Sequence, residues 1–390
     1  MSKLLYAASQ ALHGRFRTPI RVLLLMFLLF VFLVGVKGMG DGFKLLGKDV
    51  LEKFFTATEN PFMGLIIGIL ATSLVQSSSV TTSMIVGLVA SPENPLPLAN
   101  AVPMIMGANI GTTVTNMIVS LAHMGRREEF RRAFAVATVH DFFNIMAVAI
   151  LLPLELTTGY LQKTSGLFVS AVSRLTGAEY ESPIRVAIAE GVHPIKELAA
   201  VLFSSQQGQG ILLALISGGL IFTALFALVR VMRSVMMTRV ETYINRFVGG
   251  PALLAIAVGA VVTVMVQSSS ITTSLLVPLA GAGLLTAQQA FPLTIGANLG
   301  TTVTALLASL AVSGVNAEAG IHIALVHLLF NLTGAGIIFP IRRIRHIPVA
   351  AAEWIAGFTA RSRRWALLYV FGVFYGIPAL LVFLSSLLRR

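Results

Sequence analysis

The fold is decided by Val75–Ser83, VQSSSVTTS, because the chain repeats this stretch almost unchanged as Val266–Ser274, VQSSSITTS. A second motif, GANIGTTVT at Gly107–Thr115, recurs as GANLGTTVT at Gly296–Thr304. The offsets between the copies are nearly equal, 267 − 76 = 191 and 296 − 107 = 189. Near-constant offsets across separate motifs indicate an internal duplication.

The duplication extends to a third pair of motifs, His140 with Asn144 and His327 with Asn331, at an offset of 327 − 140 = 187. Each unit therefore contains a hydrophobic span, a Gln-Ser-Ser-Ser segment, a Gly-Ala-Asn segment and a span that carries His and Asn. We expect four regions along the chain: a first repeat over 20–153, an extracytoplasmic connector over 154–209, a second repeat over 210–340, and a cytoplasmic loop with a C-terminal span over 341–390.

Composition places these repeats in a membrane. Of the 390 residues, 56% are hydrophobic and 11% are charged, whereas a soluble domain has about 25% charged residues. Many apolar residues fall in runs near the roughly 20 residues that cross a bilayer, such as Ile20–Val36, Ala133–Pro153, Ile211–Val231 and Ala366–Leu387. Three spans in each unit and one after them predict an all-α polytopic protein. The first run has no small-residue cleavage site behind it, so no signal peptide is expected.

The Gln-Ser-Ser-Ser segments are too short to be simple spans. Phe62–Val75 has 14 residues, about 21 Å of helix, which falls short of the roughly 30 Å hydrocarbon core. Val80–Ala90 is shorter still, and Leu254–Leu285 repeats the pattern. Two short helices that meet at a polar tip predict a re-entrant hairpin in each repeat. The Gly-Ala-Asn segments lie midway along the apolar runs Leu98–Leu121 and Gln288–Leu310, so we also expect a broken transmembrane helix in each repeat.

Basic residues predict the orientation. A net charge of +12 would suggest nucleic-acid binding in a soluble protein, but here Lys and Arg cluster between spans, as cytoplasmic anchors do. The N-terminal segment and the loop 122–132 are basic and therefore cytoplasmic, whereas 155–205 has balanced charges and lies outside. An odd number of spans per unit inverts the second repeat relative to the first. Inverted repeats are typical of secondary transporters, which bind substrate near the midplane.

The repeated motifs bring neutral hydroxyls and amides to that centre. In each hairpin the serines precede the second short helix at N-cap positions, where free N–H groups and the helix dipole favour an anion. Hydroxyl and N–H groups can donate to several oxygens of a small oxyanion such as phosphate at once. The residues expected to bind phosphate are Gln76, Ser77, Ser78, Ser79, Asn109, Gln267, Ser268, Ser269, Ser270 and Asn298.

Threonine, asparagine and carbonyl oxygens in the same segments suit sodium, which binds beside helix breaks in such transporters. Asp141 is an acid within a span without a counterpart in the second repeat, where Leu328 stands; such charges default to function. The residues expected to bind sodium are Thr81, Thr112, Thr113, Asp141, Asn144, Thr272, Thr301, Thr302 and Asn331. Sodium is the only metal expected, as a coupling ion, and no cofactor is expected. The absence of Cys excludes thiolate metal sites.

Other interpretations compete with this one. Ser and Thr can simply join membrane helices, and His140 and His327 suit packing and interhelical hydrogen bonds better than proton transfer. A membrane-embedded serine hydrolase would need a triad of Ser, His140 and Asp141, but adjacent helical side chains point about 100° apart, and the chain has no Gly-x-Ser-x-Gly elbow. A channel could use broken helices without needing sodium, and transport of another small oxyanion stays open.

These motifs resemble the type II sodium-dependent phosphate cotransporter family, found in animals and bacteria. The similarity covers about 40–165 and 250–340. It is carried by the stretches Asn60–Ser83, Ala101–Thr112, Phe130–Ala135, Thr138–Asn144, Leu151–Glu155, Val266–Ser274, Phe291–Thr302 and Val326–Asn331. The resemblance implies secondary active, sodium-coupled symport of inorganic phosphate into the cell, with the Gln-Ser-Ser-Ser elements forming the phosphate and sodium sites.

The resemblance also implies a role for Asp141. Electrogenic members carry Asp at this position, where it helps bind an additional sodium ion, and electroneutral members carry Gly. The outside loop lacks the cysteines and glycosylation sites of animal members, which favours a multi-pass protein of the bacterial inner membrane with a cytoplasmic N-terminus. The expected partners are phosphate, sodium and the lipid bilayer, without nucleic acid, and a homo-oligomer is left open.

The inverted arrangement predicts that residue 180 lies outside and residue 240 inside. Because the chain has no Cys, Tyr180→Cys and Val240→Cys can each be introduced on an unmodified background. We expect an impermeant thiol reagent added to intact cells to label the first variant and not the second. Labelling of both variants from the same side would contradict the inverted arrangement.

Overall fold

The computed structural model describes residues 17–46, 56–92, 95–176, 183–247, 251–312 and 316–388. Every regular element in these ranges is helical, which confirms the all-α class. The helices that build the fold are α1 (Arg17–Leu45), α2 (Pro61–Val75), α3 (Ser78–Val89), α4 (Leu98–Gly111), α5 (Val114–Leu121), α6 (Arg127–Thr158), α7 (Tyr160–Thr176), α8 (Pro183–Leu202), α9 (Gln206–Phe247), α10 (Ala252–Val266), α11 (Ser269–Ser274), α12 (Leu276–Gly281), α13 (Ala287–Ser309), α14 (Ala317–Ile338), α15 (Arg342–Thr359), α16 (Arg363–Leu367), a π-helical segment (Leu368–Gly376) and α17 (Ile377–Leu388).

Seven helical stretches in the described residues are long and apolar enough to cross a membrane, which confirms the predicted number of spans. They are Val22–Leu45, Leu98–Leu121, Arg127–Thr158, Gln206–Leu228, Ala287–Ser309, Ala317–Ile338 and Arg364–Leu387. The third extends beyond the predicted 133–153 at both ends. The Arg and Glu residues of its first turns are good helix formers, so the helix starts before the apolar run does.

Each Gln-Ser-Ser-Ser segment joins two short helices, as expected. α2 ends at Gln76 with φ 58° and ψ 24°, and α10 ends at Gln267 with φ 56° and ψ 27°. Within the described residues, these are the only non-glycine residues with positive φ. Glycine would adopt this left-handed conformation more easily. A glutamine at both turns therefore indicates that its side chain is needed there.

The Gly-Ala-Asn helices pack closely against the first arms of the hairpins: α4 lies along α2, and α13 lies along α10. A methyl group at Gly107 would overlap the carbonyl oxygen of Leu65, and one at Gly296 would overlap that of Ile256. These glycines therefore serve close helix packing, as small residues do between membrane helices.

The expected break at the Gly-Ala-Asn motif is wrong for the second repeat, because α13 runs through it without interruption. In the first repeat the break is slight, since Thr112 and Thr113 between α4 and α5 keep right-handed helical dihedral angles. The hydroxyls of Thr112 and Thr301 donate to the carbonyls of Ala108 and Ala297 at 2.9 and 3.0 Å. These threonines are thus satisfied inside a continuous turn and need not end the helix.

The two repeats interlock. α13 of the second repeat contacts α3 and α6 of the first, and α14 contacts α3, α4 and α6. α1 and α9, which open the two repeats, pack along each other. The connector contains α7 and α8, and the region after α14 contains α15, which packs along α6. Residue 180 lies outside the described residues, and residue 240 lies in α9.

Candidate functional site

Both hairpin tips carry the N-cap serines that the sequence predicts. The Oγ atoms of Ser77 and Ser268 accept hydrogen bonds from the N–H groups of Val80 and Ile271, both at 3.3 Å. The first amides of α3 and α11 have no carbonyl one turn earlier in their own helix. α11 continues into α12 through Leu275, which keeps helical dihedral angles. Each tip therefore presents N–H groups and the positive end of a helix dipole.

The two tips line one cavity of about 470 Å³. The polar residues on its wall are Gln76, Ser77, Ser79, Thr115, Gln267, Ser268 and Ser270. Apolar side chains complete the wall, among them Phe222 and Phe226 of α9. No charged side chain occurs among the described lining residues. The cavity therefore offers neutral hydrogen-bond donors and two helix N-termini.

The two glutamines at the tips are held in the same way. Thr115 Oγ1 donates to Gln76 Oε1 at 2.9 Å, and Thr304 Oγ1 donates to Gln267 Oε1 at 3.1 Å. Nε2 of each glutamine donates to the carbonyl three residues earlier, at 2.6 Å in both repeats. Thr115 and Thr304 are equivalent positions of the repeated motif, so the duplication preserves the support of the tip as well as the tip itself.

The last helix adds a contact to the first tip. Gln76 Nε2 also donates to Tyr375 Oη at 2.7 Å, and Tyr375 Oη donates to the carbonyl of Ser73 at 2.9 Å. Tyr375 lies in the π-helical segment, and π-helical turns are frequent at functional sites. Gln267 has no corresponding side-chain partner from this helix in the described residues. The two tips are therefore similar but not equivalent.

Asn298 of the second repeat bonds to the His–Asn helix of the first. Its Oδ1 lies 2.6 Å from His140 Nε2, and its Nδ2 donates to Asn144 Oδ1 at 2.7 Å. Asn144 Nδ2 donates in turn to the carbonyl of Asn109 at 2.8 Å. All four residues are buried. These contacts join the repeats through their polar centres.

The reciprocal set joins Asn109 of the first repeat to the second. Its Oδ1 accepts from Asn331 Nδ2 at 3.1 Å and lies 3.4 Å from His327 Nε2. The two histidines thus make interhelical hydrogen bonds, the structural role that the sequence favours. Each Gly-Ala-Asn asparagine reaches across to the other repeat, away from the wall of the tip cavity.

Asp141 lies in a third group of polar residues. It is fully buried, its Oδ1 accepts from Thr113 Oγ1 at 3.2 Å, and its Oδ2 accepts from Tyr369 Oη at 2.8 Å. No Lys or Arg pairs with this carboxylate in the described residues. The group therefore has an acid and two hydroxyl oxygens without a compensating side-chain cation.

The structure does not gather the predicted residues into one group. Gln76, Ser77 and Ser79 line the cavity with their counterparts in the second repeat, whereas Ser78 and Ser269 are adjacent but do not line it. Five threonines expected to bind sodium donate their hydroxyl hydrogen to a nearby backbone carbonyl: Thr81, Thr112, Thr272, Thr301 and Thr302. The one hydroxyl hydrogen of Thr113 is shared between the carbonyl of Ile110, at 2.8 Å, and Asp141. Their oxygen lone pairs are not consumed by these bonds.

Several polar contacts were not predicted. Thr115 and Thr304 stand at the same position of the repeated motif, and this repetition was the available signal. Asn116 Oδ1 accepts from two hydroxyls of α11, both at 3.0 Å, and so ties α5 to the second tip. Tyr369 and Tyr375 lie outside the repeats, where no pattern in the sequence links them to the site.

A family model described as Na⁺/Pi-cotransporter matches residues 31–172 and 220–359. The chain belongs to this family. The match falls in two segments, one in each half of the chain, which agrees with a duplicated unit.

Two relatives show how far the similarity extends. The chain is 34% identical over 434 residues to sodium-dependent phosphate transport protein 2A of Rattus norvegicus, covering 94% of this chain and 68% of that protein. It is 32% identical over 445 residues to sodium-dependent phosphate transport protein 2B of Homo sapiens, covering 92% of this chain and 64% of that protein. The chain thus spans about two thirds of their length. No solved structure gives a significant match.

Family membership confirms the prediction of a multi-pass membrane transporter, rather than an enzyme, with sodium-dependent phosphate cotransport as its activity. It excludes the serine hydrolase alternative, and the geometry agrees. His140 bonds to Asn298 and Asp141 to Thr113 and Tyr369, so neither acts on a serine. Phosphate and sodium are the ligands that the family implies.

Tyr375→Phe should weaken the support of the first tip without removing the ring. The variant loses the donor to the Ser73 carbonyl and the acceptor for Gln76; a lost hydrogen bond costs about 1 kcal/mol. We expect the phosphate concentration for half-maximal uptake to rise about fivefold at that cost, as measured in proteoliposomes. Tyr160→Phe, whose hydroxyl bonds to Thr333 Oγ1 at 3.1 Å away from the cavity, is the matched control. Equal kinetics in the two variants would show that the Tyr375 contact does not support the site.

Proposed function

We propose that this chain imports inorganic phosphate with sodium by alternating access, and that phosphate binds between the two hairpin tips. The observation that carries the proposal is the single cavity lined by both Gln-Ser-Ser-Ser tips. Two helix N-termini on one cavity form an anion site without a basic side chain. A site that must release its substrate benefits from neutral donors, because Arg or Lys would hold a phosphate more tightly.

Within this site, the hydroxyls of Ser79 and Ser270 are candidate donors. Both line the cavity, and neither hydroxyl group makes a hydrogen bond within the described residues. Ser77 and Ser268 accept from backbone N–H groups, and their own hydroxyl hydrogens stay available. Gln76 and Gln267, held by Thr115 and Thr304, complete the set. Ser78 and Ser269 would act through their backbone amides, and Asn109 and Asn298 by holding the repeats together.

For sodium, the first hairpin offers oxygens that lack partners. Thr72 Oγ1 and Ser73 Oγ are buried and have no hydrogen-bond partner in the described residues, although buried hydroxyls are normally bonded. In the second hairpin, Thr263 Oγ1 donates to Thr272 Oγ1 at 2.9 Å, and Val264 stands where Ser73 does. A hard cation with oxygen ligands would satisfy the unpaired atoms, so we propose one coupling ion under the first tip, with Thr81, the counterpart of Thr272, as a further candidate ligand.

A second sodium site is proposed at Asp141. Thr113, Tyr369 and the carboxylate supply oxygens, and a buried acid without a cation is expensive unless an ion compensates it. Thr112 and Asn144 of the first repeat and Thr301, Thr302 and Asn331 of the second are further candidates. The threonines bond within their own helix, Asn144 bonds to the neighbouring Asn109 helix of its own repeat and to Asn298, and Asn331 bonds to Asn109 across the repeats.

The transport cycle would use the two repeats in opposite orientations. The odd number of spans in each repeat supports an inverted topology with a re-entrant hairpin from each side. The basic N-terminal segment and loop 122–132 support a cytoplasmic N-terminus in a bacterial inner membrane. Because both tips line the same cavity, a small movement of one repeat against the other would open it to one side at a time.

Sodium coupling is tested by uptake of radiolabelled phosphate into proteoliposomes. An inward sodium gradient should drive accumulation, and an equal potassium gradient should not. The sodium gradient can supply the free energy only if each transport cycle carries sodium together with phosphate. Accumulation should therefore also fall when the sodium gradient is dissipated. Uptake that protons alone drive equally well would overturn the assignment of sodium as the coupling ion.

Asp141→Gly should abolish the voltage dependence of uptake. Two sodium ions balance divalent phosphate, and a third, compensated by Asp141, would carry one net charge inward. That charge gains about 2.3 kcal/mol per 100 mV, so wild-type uptake should accelerate as the interior is made negative with potassium and valinomycin. The variant should keep some sodium-driven uptake but lose this response. A wild type that ignores voltage, or a variant that responds as strongly, would rule out Asp141 as the electrogenic element.

A further inference from the structure

A second cavity, of about 370 Å³, lies at the base of the second hairpin, away from the tip cavity. Its walls come from the starts of α10, α13 and α15. Arg342, Arg345 and His346 of α15 line one wall, and Gln288 and Gln289 of α13 line another. The described lining residues include no acid. The cavity therefore concentrates positive charge and hydrogen-bond donors without an anionic partner.

The two arginines in this cavity are not neutralised elsewhere. Neither Arg342 nor Arg345 forms a salt bridge within the described residues. The guanidinium of Arg345 instead lies over the Phe339 ring, 5.4 Å from its centre. An aromatic face positions a guanidinium while leaving its N–H donors free at the edge.

Two helix ends add to this charge. α15 begins after Ile341 and α10 after Pro251, and neither has a side-chain cap. Ala252 in the first turn of α10 and Arg342 in the first turn of α15 line the cavity. α13 differs, since Thr286 and Gln289 form a capping box there. The uncapped ends therefore direct the positive ends of two helix dipoles towards the same space as the arginines.

We infer that this cavity binds a phosphate group, held by Arg342 and Arg345. Two forked guanidinium groups match the oxygens of a phosphate monoester, a phosphodiester or free phosphate. The remaining wall is apolar, with Phe291, Pro292 and Val349, and it would accept the carbon skeleton of an anionic phospholipid next to its headgroup. Basic pockets between membrane helices bind such headgroups. The proposed topology makes this side cytoplasmic, but the binding site itself does not depend on it.

A ligand here would act on transport through the second hairpin. The cavity walls include Ala252 and Ala255, in the arm that ends at the second tip, and Phe291 and Pro292, in the helix that carries Asn298. A bound phosphate group would bridge these helices to α15, which packs along α6 of the first repeat. Binding would therefore favour the arrangement of the two repeats in which the cavity has this shape.

The test measures the thermal unfolding temperature of the purified full chain without sodium, so it does not depend on transport. Three arms add an anionic phospholipid, a zwitterionic phospholipid or inorganic phosphate. A ligand that binds only the folded state raises this temperature. We expect the anionic lipid to raise it for the wild type and to have little effect on the Arg342→Gln/Arg345→Gln double variant. Arg343→Gln is the matched control, because Arg343 is the neighbouring arginine outside the cavity, and it should respond as the wild type does.

The arms also distinguish the sources of the phosphate group. A shift with inorganic phosphate that the double variant loses would assign the site to free phosphate, and a shift with the anionic lipid alone would assign it to a headgroup. A double variant that responds as the wild type does, or a wild type that responds to neither anion, would overturn the site and leave the arginines as topological anchors only. Unfolding of each variant without ligand shows whether it is folded at the start. Failure of sodium-driven uptake would leave this result untouched.

Discussion

The structure depends on one reciprocal interaction, in which the asparagine of each Gly-Ala-Asn motif bonds to the His–Asn helix of the other repeat. Asn298 meets His140 and Asn144, and Asn109 meets His327 and Asn331. Buried amides and imidazoles are costly when unpaired, so neither repeat can bury its motif without the other. The hairpins of the two joined repeats line one cavity with their tips.

The duplication is not complete, and its departures coincide with the polar centre of the first repeat. Asp141 faces Thr113 and Tyr369, whereas Leu328 stands at the equivalent position. Gln76 is tied to the last helix through Tyr375, which makes no such bond to Gln267. Two identical repeats would offer two equivalent binding sites for the same ion. These differences make the first repeat the candidate for the ions that couple transport, and they leave the second as the simpler half of an anion site.

Much of this arrangement was predictable from the sequence, because the motifs occur twice. The duplicated VQSSS stretch predicted the short helices and the N-cap serines at both tips, and the apolar runs predicted seven spans. The helix break expected at the Gly-Ala-Asn motif was wrong for the second repeat and is slight in the first, because glycine and threonine also serve close packing and hydrogen bonds inside a helix. Whether a small residue breaks a helix or admits a neighbour depends on that neighbour, which the local sequence does not specify.

The partners of the site were less predictable than the tips. Tyr369 and Tyr375 come from a helix outside the repeats, so no internal comparison pointed to them. The cross-repeat bonds of Asn109 and Asn298 were equally hidden, since a motif beside the hairpin tip is as consistent with ligand binding as with interhelical bonding. Long-range contacts of this kind depend on how the helices pack, and the packing emerges only when both repeats are assembled.

The central claim is that one phosphate ion contacts both tips. Calorimetric titration of the purified chain with phosphate in sodium tests it most directly, with Ser79→Ala and Ser270→Ala as separate variants. The claim predicts one sodium-dependent binding event per chain, which each substitution weakens by about 1–3 kcal/mol and which disappears when potassium replaces sodium. Two sodium-dependent phosphate ions per chain, or wild-type affinity in either variant, would contradict it.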